Sequence, residues 1–265
     1  MSNKNCKVIA TYFGPRRNHA GTNESALDFS DTIDMLDDAV KIECEVSSGV
    51  KKDTIIVNHD FGNKEGKKFL NKLDGTKTKD GVIKILHRPF NKGVGGSFAS
   101  FNYAFEQFRN DYEYWFFNED DTYVVAEGYM KQIIKQLSAD HEVAYVCVGY
   151  HQTVQSGYII RTGGYPAHAH GGCGGTHIKF LNECYDKLGK LPHSELIMND
   201  DMITSIKDGT LTAFDSGYAR DWYRKFELDG EVRFSNVYQF ELGYKLQDIE
   251  MGKPVVYSVR LQEYY

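Results

Sequence analysis

The chain has 265 residues, of which 41% are hydrophobic, so it is long enough to bury one sizeable core. Its formal net charge of −6 at pH 7 argues against a nucleic-acid-binding surface, and we expect no nucleic-acid partner. The five cysteines form no CxxC pair, which is typical of reduced thiols in the cytoplasm. No stretch reaches the roughly 18 apolar residues of a membrane span. We therefore expect a cytoplasmic protein without a transmembrane segment, at most peripheral to a membrane.

Short apolar, β-branched runs alternate with segments of helical periodicity in the first half of the chain. The predicted strands cover residues 7–13, 53–60, 81–89, 112–121 and 142–150. The predicted helices cover residues 25–42, 64–73, 97–110 and 127–140. This alternation predicts βαβ units and a mostly parallel sheet with right-handed crossovers.

Beyond residue 150 the pattern changes. The segment "HAHGGCGG" (168–175) is rich in Gly and His and predicts a loop, of the kind that often covers a site, before a helix. Residues 194–210 read as a helix, whereas "GEVRFSNVYQFELGY" (230–244) and "KPVVYSVRL" (253–261) read as strands. We expect one α/β domain over residues 1–265, in which the second half elaborates one side of the sheet.

Three consecutive acidic residues, Glu119, Asp120 and Asp121, directly follow the apolar strand "YWFF". In an open α/β sheet, ligands bind beyond the carboxyl ends of the strands. Adjacent carboxylates repel one another, and a hard divalent cation with a phosphate ligand would balance their charge. The alternative is a solvated acidic turn whose Asp caps the next helix.

A glycine-rich segment lies upstream of this triplet, in "HRPFNKGVGGSFASFNYAF", which contains Arg88, Asn91 and Gly93. A Gly-rich turn at a helix N-terminus presents backbone N–H groups and the positive end of the helix dipole to an anion. The alternative is a tight connection between a strand and a helix.

Together these segments resemble glycosyltransferase family 2, nucleotide-sugar-dependent enzymes of the GT-A type. The resemblance rests on "VIATYFG", "IIVNHD", the Arg88–Ala104 segment and "FFNEDD", which lie within residues 7–130. It implies a GT-A (Rossmann-like), mostly parallel sheet flanked by helices. Residues 1–130 would bind the nucleotide sugar, and residues 131–265 would form the acceptor side and a C-terminal extension. The implied donor-binding residues are Tyr12, Phe13, Gly14, Asp60, Arg88, Asn91, Gly93, Glu119 and Asp120.

The resemblance also implies a DXD-like motif that holds Mn²⁺ or Mg²⁺. Two alignments fit the sequence, with the motif at Glu119-Asp120-Asp121 or, with Asn in the leading place, at Asn118-Glu119-Asp120. The last Asp of the motif is the expected metal ligand. Asp120 and Asp121 are therefore both candidates, and Asp121 is slightly favoured.

A second acidic pair lies in "IMNDDMITSIKDG", which is similar to the family segment that carries the general base. The resemblance implies that Asp200 or Asp201 removes the proton of the acceptor hydroxyl. The alternative is that both residues lie in the exposed first turn of a helix, where the helix dipole favours acidic side chains.

The implied reaction transfers a sugar, with inversion, from a nucleotide-diphosphate sugar to a hydroxyl group. The acceptor would be a saccharide or a lipid-linked saccharide, in cell-surface polysaccharide or lipopolysaccharide synthesis. A sugar nucleotidyltransferase is an alternative, although "FGPRRNHAGTNES" does not supply the GxGTR type of loop after the first strand. A non-catalytic carbohydrate- or nucleotide-binding protein of the same fold is the other alternative.

Overall fold

A computed structural model describes residues 4–13, 29–59, 63–89, 96–148, 150–151, 168–169, 173–193, 228–259 and 263–264. Within these ranges the main helices are α1 (Phe29–Glu45), α2 (Lys64–Leu73), α3 (Gly96–Phe108), α4 (Tyr129–Ala139) and α5 (Ile178–Leu188). A further helical segment has π-helical ends, Leu228–Val232 and Val237–Glu241, around an α-helical turn, Arg233–Asn236.

The strands fall into a main sheet and two small ones. The main-sheet strands are β1 (Asn5–Tyr12), β2 (Asp53–His59), β3 (Ile83–Arg88), β4 (Tyr114–Glu119), β6 (Val143–Cys147), β9 (Gly174–His177) and β10 (Lys245–Asp248). The others are β5 (Thr122–Val124), β7 (Tyr150–His151), β8 (His168–Ala169), β11 (Val256–Ser258) and β12 (Glu263–Tyr264).

The described strands of the main sheet are arranged in the order β10–β6–β9–β4–β1–β2–β3. Strand β9 runs antiparallel to its neighbours β4 and β6, whereas the other pairs are parallel. This topology confirms the predicted α/β class and agrees with a GT-A (Rossmann-like) architecture. The small sheets have the orders β12–β11–β5 and β7–β8.

The strands alternate their side chains between two apolar layers, which explains why the sheet is buried on both faces. Trp115 and Phe117 contact the layer formed with α3, in which the rings of Phe101 and Phe117 lie 4.7 Å apart. Phe116, between them, packs on the opposite layer, where its ring lies 4.9 Å from that of Tyr129 in α4. Burying each such side chain contributes roughly 1.5–3 kcal/mol, so helices are fixed on both faces of the sheet.

The strand prediction for residues 230–244 is wrong for most of this segment, because Leu228–Glu241 is helical. The residues Phe234, Val237 and Tyr238, which have helical spacing, are buried. The Phe234 ring packs on Phe98 and Tyr145, with centroid distances of 5.6 and 5.3 Å. Tertiary packing of this apolar face therefore overrides the strand-like composition.

The loop prediction for residues 168–175 is wrong at both ends, because His168–Ala169 form β8, and Gly174 and Gly175 form part of the buried strand β9. A Cβ atom on Gly174 would lie 2.5 Å from a ring carbon of Tyr145 and 2.5 Å from the carbonyl oxygen of Val146. A Cβ atom on Gly175 would lie 2.8 Å from Ile133. These glycines therefore allow close packing inside the sheet and do not indicate a flexible loop.

The predicted helix at 194–210 lies outside the described residues. None of the helices in the described ranges combines the length and the apolar character that crossing a bilayer requires.

Candidate functional site

The carboxyl ends of the parallel strands form one edge of the sheet. Residues Tyr12, His59 and Arg88 are aligned across β1, β2 and β3. On the other side of β1, Ala10 is aligned with Glu119 of β4. The order of strands reverses between β1 and β4, and this reversal is where open α/β sheets bind ligands.

The acidic turn, defined as Glu119, Asp120 and Asp121, links the end of β4 to β5 at this reversal. The backbone N–H of Asp120 donates to the carbonyl of Ala10 at 3.2 Å, which extends the pairing of β4 with β1. The carbonyl of Asp121 accepts a hydrogen bond from the N–H of Val259, beyond β11, at 2.8 Å. The backbone of the turn is therefore held by two different parts of the fold.

Both aspartates of this turn are buried. The exposed fractions of Asp120 and Asp121 are 2% and 3%. The hydroxyl of Thr122 donates to Oδ1 of Asp121 at 3.3 Å. Bringing two neighbouring carboxylates out of water is costly, and a cation in contact with them would reduce the cost.

Glu119 contacts the N-terminus of α3. The Ser97 hydroxyl donates to Glu119 Oε1, and α3 begins at Gly96, whose φ of 57° lies in the left-handed region. The carboxylate at this position is stabilised by the positive end of the helix dipole. The helix that follows the Gly-rich segment is therefore adjacent to the acidic turn, and the protein's own Glu119 lies at its N-terminus.

The negative charge of the turn affects two neighbouring titratable side chains. Burial raises the pKa of the Tyr123 hydroxyl, and the charges of Asp38, Asp120 and Asp121 raise it further. Burial also raises the pKa of the Cys173 thiol to about 12; Lys7 opposes this shift, and Glu119 and Asp121 add to it. The surroundings of the turn therefore disfavour additional negative charge.

Two other predicted donor-binding residues lie at the same edge, with contacts inside the protein. The Arg88 side chain is 4% exposed, and its Nη1 donates to Nδ1 of His59 at 3.0 Å. Phe13 is 3% exposed and packs in the apolar cluster that contains Leu36. A Cβ atom on Gly66, in the first turn of α2, would lie 2.4 Å from the Phe13 ring, so the two are in close contact.

The structure thus places Tyr12, Phe13, Arg88 and the acidic turn along one edge. The remaining predicted site residues lie outside the described residues: Gly14, Asp60, Asn91, Gly93, Asp200 and Asp201.

The sequence did not predict that Ser97 contacts the acidic turn, and it gave Asn102 no structural role. Both residues lie in the segment on which the resemblance rests. The carbonyl oxygen of the Asn102 side chain accepts a hydrogen bond from the backbone N–H of Leu191 at 2.8 Å, and its amide donates to Glu106. Asn102 therefore ties α3 to the chain that follows α5. The signal for Ser97 was its place immediately after the paired glycines, at the predicted helix start.

Within the described ranges, no three or more His, Cys, Asp or Glu side chains are grouped closely enough to hold a metal ion by themselves. A metal at the acidic turn would therefore need oxygen ligands from a bound substrate or water, or from residues outside the described ranges.

No family model and no curated protein matches this chain. It is similar to S. aureus TarS, with 16% identity over 58% of this chain and 23% of that chain and a TM-score of 0.31. It is also similar to the mannosyltransferase PcManGT from Pyrobaculum calidifontis, solved with GDP-Man and Mn²⁺, with 14% identity over 72% of this chain and 48% of that chain and a TM-score of 0.40.

A third similar structure is 4-diphosphocytidyl-2C-methyl-D-erythritol synthase from Anaerococcus prevotii, with 12% identity over 93% of this chain and 86% of that chain and a TM-score of 0.41. The chain spans only 23% to 37% of the length of the TarS structures that it matches. Similarities of this size do not assign an activity, a substrate or a metal to this chain. The resemblance to glycosyltransferase family 2 stays a prediction.

Proposed function

We propose that the chain is a metal-dependent glycosyltransferase that transfers a sugar from a nucleotide-diphosphate sugar to a hydroxyl group of a saccharide or a lipid-linked saccharide. The observation that carries the proposal is the burial of Asp120 and Asp121 at the reversal of strand order. Buried carboxylates are paired, hydrogen-bonded or bound to a cation, and at this edge of the sheet a divalent cation with a phosphate ligand suits two adjacent aspartates.

The donor set fits Mn²⁺ or Mg²⁺, because both ions prefer oxygen ligands. Mg²⁺ is commonly bound by one or two carboxylates together with substrate phosphates, so a pair of aspartates is sufficient on the protein side. We assign Asp120 and Asp121 as the metal-binding residues. The bound ion would stabilise negative charge on the departing diphosphate.

The residues of the chain then have separate roles in the transfer. A bond forms between the acceptor oxygen and the anomeric carbon, while the bond from that carbon to the diphosphate breaks. The acceptor proton passes to a carboxylate, which we assign to Asp200 or Asp201 on the family resemblance. Arg88, at the edge of the sheet, adds positive charge on the donor side.

Ligand-induced stabilisation tests the donor half of this proposal. The unfolding temperature is measured with UDP, GDP, ADP or TDP, each with and without Mn²⁺. A nucleotide at about one hundred times its Kd stabilises the folded state by about 2.7 kcal/mol, or about 5–10 °C at this chain length. Failure of every nucleotide to stabilise the protein in the presence of Mn²⁺ or Mg²⁺ would overturn the proposal.

Substitution of the turn tests the metal assignment. We expect Asp121→Asn to lose the Mn²⁺-dependent part of nucleotide binding, measured by calorimetric titration, because the amide cannot supply a charged oxygen ligand. Asp186→Asn is the matched control, since Asp186 is exposed on α5 and its nearest described cation is Arg109 at 3.8 Å. Equal Mn²⁺-dependent binding by Asp121→Asn and the control would show that the metal is not held there.

The identity of the product separates the competing activities. A glycosyltransferase releases a nucleoside diphosphate from a nucleotide sugar, whereas a nucleotidyltransferase releases pyrophosphate from a nucleoside triphosphate and a sugar phosphate. Binding without turnover across a panel of donors and saccharide acceptors would instead support a non-catalytic binding protein.

A further inference from the structure

Asn118, the residue before the acidic turn, has a side chain that points into the protein interior. Residues of β4 alternate between the two apolar layers, so Asn118 lies on the same face of the strand as Phe116, two residues earlier. Its side chain is 1% exposed. Burying a side-chain amide is costly unless its N–H and C=O groups form hydrogen bonds, so the partners of Asn118 indicate its role.

The side-chain amide of Asn118 closes the acidic turn. Its Nδ2 donates to the carbonyl of Thr122 at 2.7 Å, which joins the two ends of the segment that contains Glu119, Asp120 and Asp121. Its Oδ1 accepts a hydrogen bond from the thiol of Cys173 at 3.4 Å. Both ends of the amide are therefore used inside the protein, and the donor to Thr122 has to be an N–H group.

The same turn is also tied through its backbone at Asp120 and Asp121, as described above. Three consecutive residues, Asp120, Asp121 and Thr122, each make a main-chain hydrogen bond to a distant element or to Asn118. The side-chain bond from Asn118 links the start of β5 directly to the end of β4.

We propose that Asn118 is a positioning residue, which holds the carboxylates of Asp120 and Asp121 in place, and that it is not itself a ligand of the metal or nucleotide. The identity of the ligand in this inference rests on the proposed function, whereas the closure of the turn by Asn118 does not depend on it. It selects Glu119-Asp120-Asp121 over Asn118-Glu119-Asp120 as the acidic motif of this chain.

The two assignments predict opposite results for Asn118→Asp. If residue 118 were the leading ligand of the motif, a carboxylate there would strengthen Mn²⁺-dependent binding of UDP or of whichever nucleotide the wild type binds. If Asn118 is a positioning residue, the variant loses the side-chain N–H group that donates to Thr122. A carboxylate oxygen then faces the buried carbonyl of Thr122, and the two oxygens repel each other. We expect the Kd for the Mn²⁺–nucleotide pair to rise about tenfold or more.

Asn5→Asp is the matched control. The amide of Asn5 also donates to a backbone carbonyl, that of Lys51, at 2.7 Å, but it lies at the opposite end of the sheet and is accessible to water. This control should bind the nucleotide with unchanged affinity. An unchanged or lower Kd in Asn118→Asp would overturn the inference.

Hydrogen exchange tests the turn without a ligand. In Asn118→Asp, the backbone amides of residues 119–122 should exchange at least about tenfold faster than in the wild type, whereas those of β2 should not change. If the wild type binds no nucleotide but exchange rises in this way, the proposed function fails and the positioning role holds. Unchanged exchange at 119–122 overturns the positioning role.

Cys173→Ala and Cys173→Ser provide a second pair in case Asn118→Asp does not fold. Removing the thiol leaves Oδ1 of Asn118 without the described donor, whereas Ser keeps a donor at that position. We expect Cys173→Ala to increase exchange at 119–122 about threefold to tenfold over Cys173→Ser. Equal exchange in these two variants also counts against the inference.

Discussion

Two groups of buried charges lie at opposite ends of the same sheet, and they differ in composition. At the amino end of β1 and β2, Lys7 and Lys52 surround Glu43 of α1, so both signs of charge are present. At the carboxyl end of β4, the acidic turn brings three residues of one sign together. The first group combines both signs of charge, whereas the second concentrates carboxylates at the edge of the sheet where ligands bind.

The basic-acidic group, defined as Lys7, Glu43, Lys52 and Thr54, is closely hydrogen-bonded. Lys7 Nζ donates to Oε1 of Glu43 at 2.7 Å, and the hydroxyl of Thr54 donates to Oε2 at 2.7 Å. Lys52 Nζ contacts the same Oε2 and also donates to Thr54. Each of the four side chains is buried. Such a group ties α1 to the sheet through contacts within the chain.

Burial of charge alone therefore does not indicate a functional site. A buried ion pair with satisfied hydrogen bonds is weak support for either stability or function. Buried charges of one sign at the ligand-binding edge of a sheet are a more specific signal, because natural sequences accept destabilising arrangements mainly where function requires them.

We expect the strongest change in stability from a substitution at the amino end of the sheet. Glu43→Gln leaves Lys7 and Lys52 buried without their counter-charge, so the free energy of unfolding should fall by about 3–5 kcal/mol. Urea unfolding measures this loss. Lys41→Ala, which breaks exposed pairs with Asp37 and Asp38 on the same helix, should show no measurable change. Nucleotide affinity at a temperature where Glu43→Gln is folded should equal that of the wild type; a large loss would mean that the two ends are coupled.

Acid should reduce this stabilisation in a defined direction. Burial alone would raise the pKa of Glu43, but the charges and hydrogen bonds of Lys52 and Lys7 outweigh burial and hold the pKa well below its usual range. The contribution is therefore complete above the unfolded-state pKa of about 4.3 and is lost as the pH falls below it. The difference in unfolding free energy between wild type and Glu43→Gln should shrink from pH 6 to pH 3. A difference independent of pH over this range would contradict the assignment.

Periodicity predicts the order of the main-sheet strands and the helices through α4, because long apolar runs and helical spacing are local properties, but it does not predict the short strand β5. It failed at residues 230–244, where contacts of Phe234 with Phe98 and Tyr145 decide the conformation. The sequence predicts a loop at Gly174, because the reason for a glycine there is the ring of Tyr145 in β6, which lies far away in the sequence.

Residues 119–121 alone fit a solvated acidic turn as well as a site, and the sequence favours a site only together with the Gly-rich segment and the family resemblance. The sequence leaves two alignments of the motif open, because the direction of the Asn118 side chain depends on which layer each β4 residue faces. Two contacts of the turn join residues that are distant in the sequence: Ser97 with Glu119, and Val259 with Asp121. No local sequence pattern predicts contacts of this kind.

Removing charge from the acidic turn should change the free energy of unfolding in the opposite direction to Glu43→Gln. Without nucleotide or metal, Asp120→Asn or Asp121→Asn should leave the free energy of unfolding unchanged or raise it by roughly 0.5–2 kcal/mol, because repulsion between buried carboxylates is relieved. Urea unfolding in the presence of EDTA measures this gain. If the free energy of unfolding fell by several kcal/mol in either variant, the turn would be stabilised, like the basic-acidic group, by charge pairs within the protein.

The smallest effect concerns the link between the turn and α3. Ser97→Ala removes the hydroxyl that donates to Glu119, a hydrogen bond worth about 1 kcal/mol, so the Kd for the nucleotide in the presence of Mn²⁺ should rise about threefold to fivefold. Ser97→Thr retains the hydroxyl and should keep the wild-type Kd. If all three proteins bind equally, Glu119 at the N-terminus of α3 serves only to cap the helix. The ligand contacts of the turn would then be confined to Asp120 and Asp121.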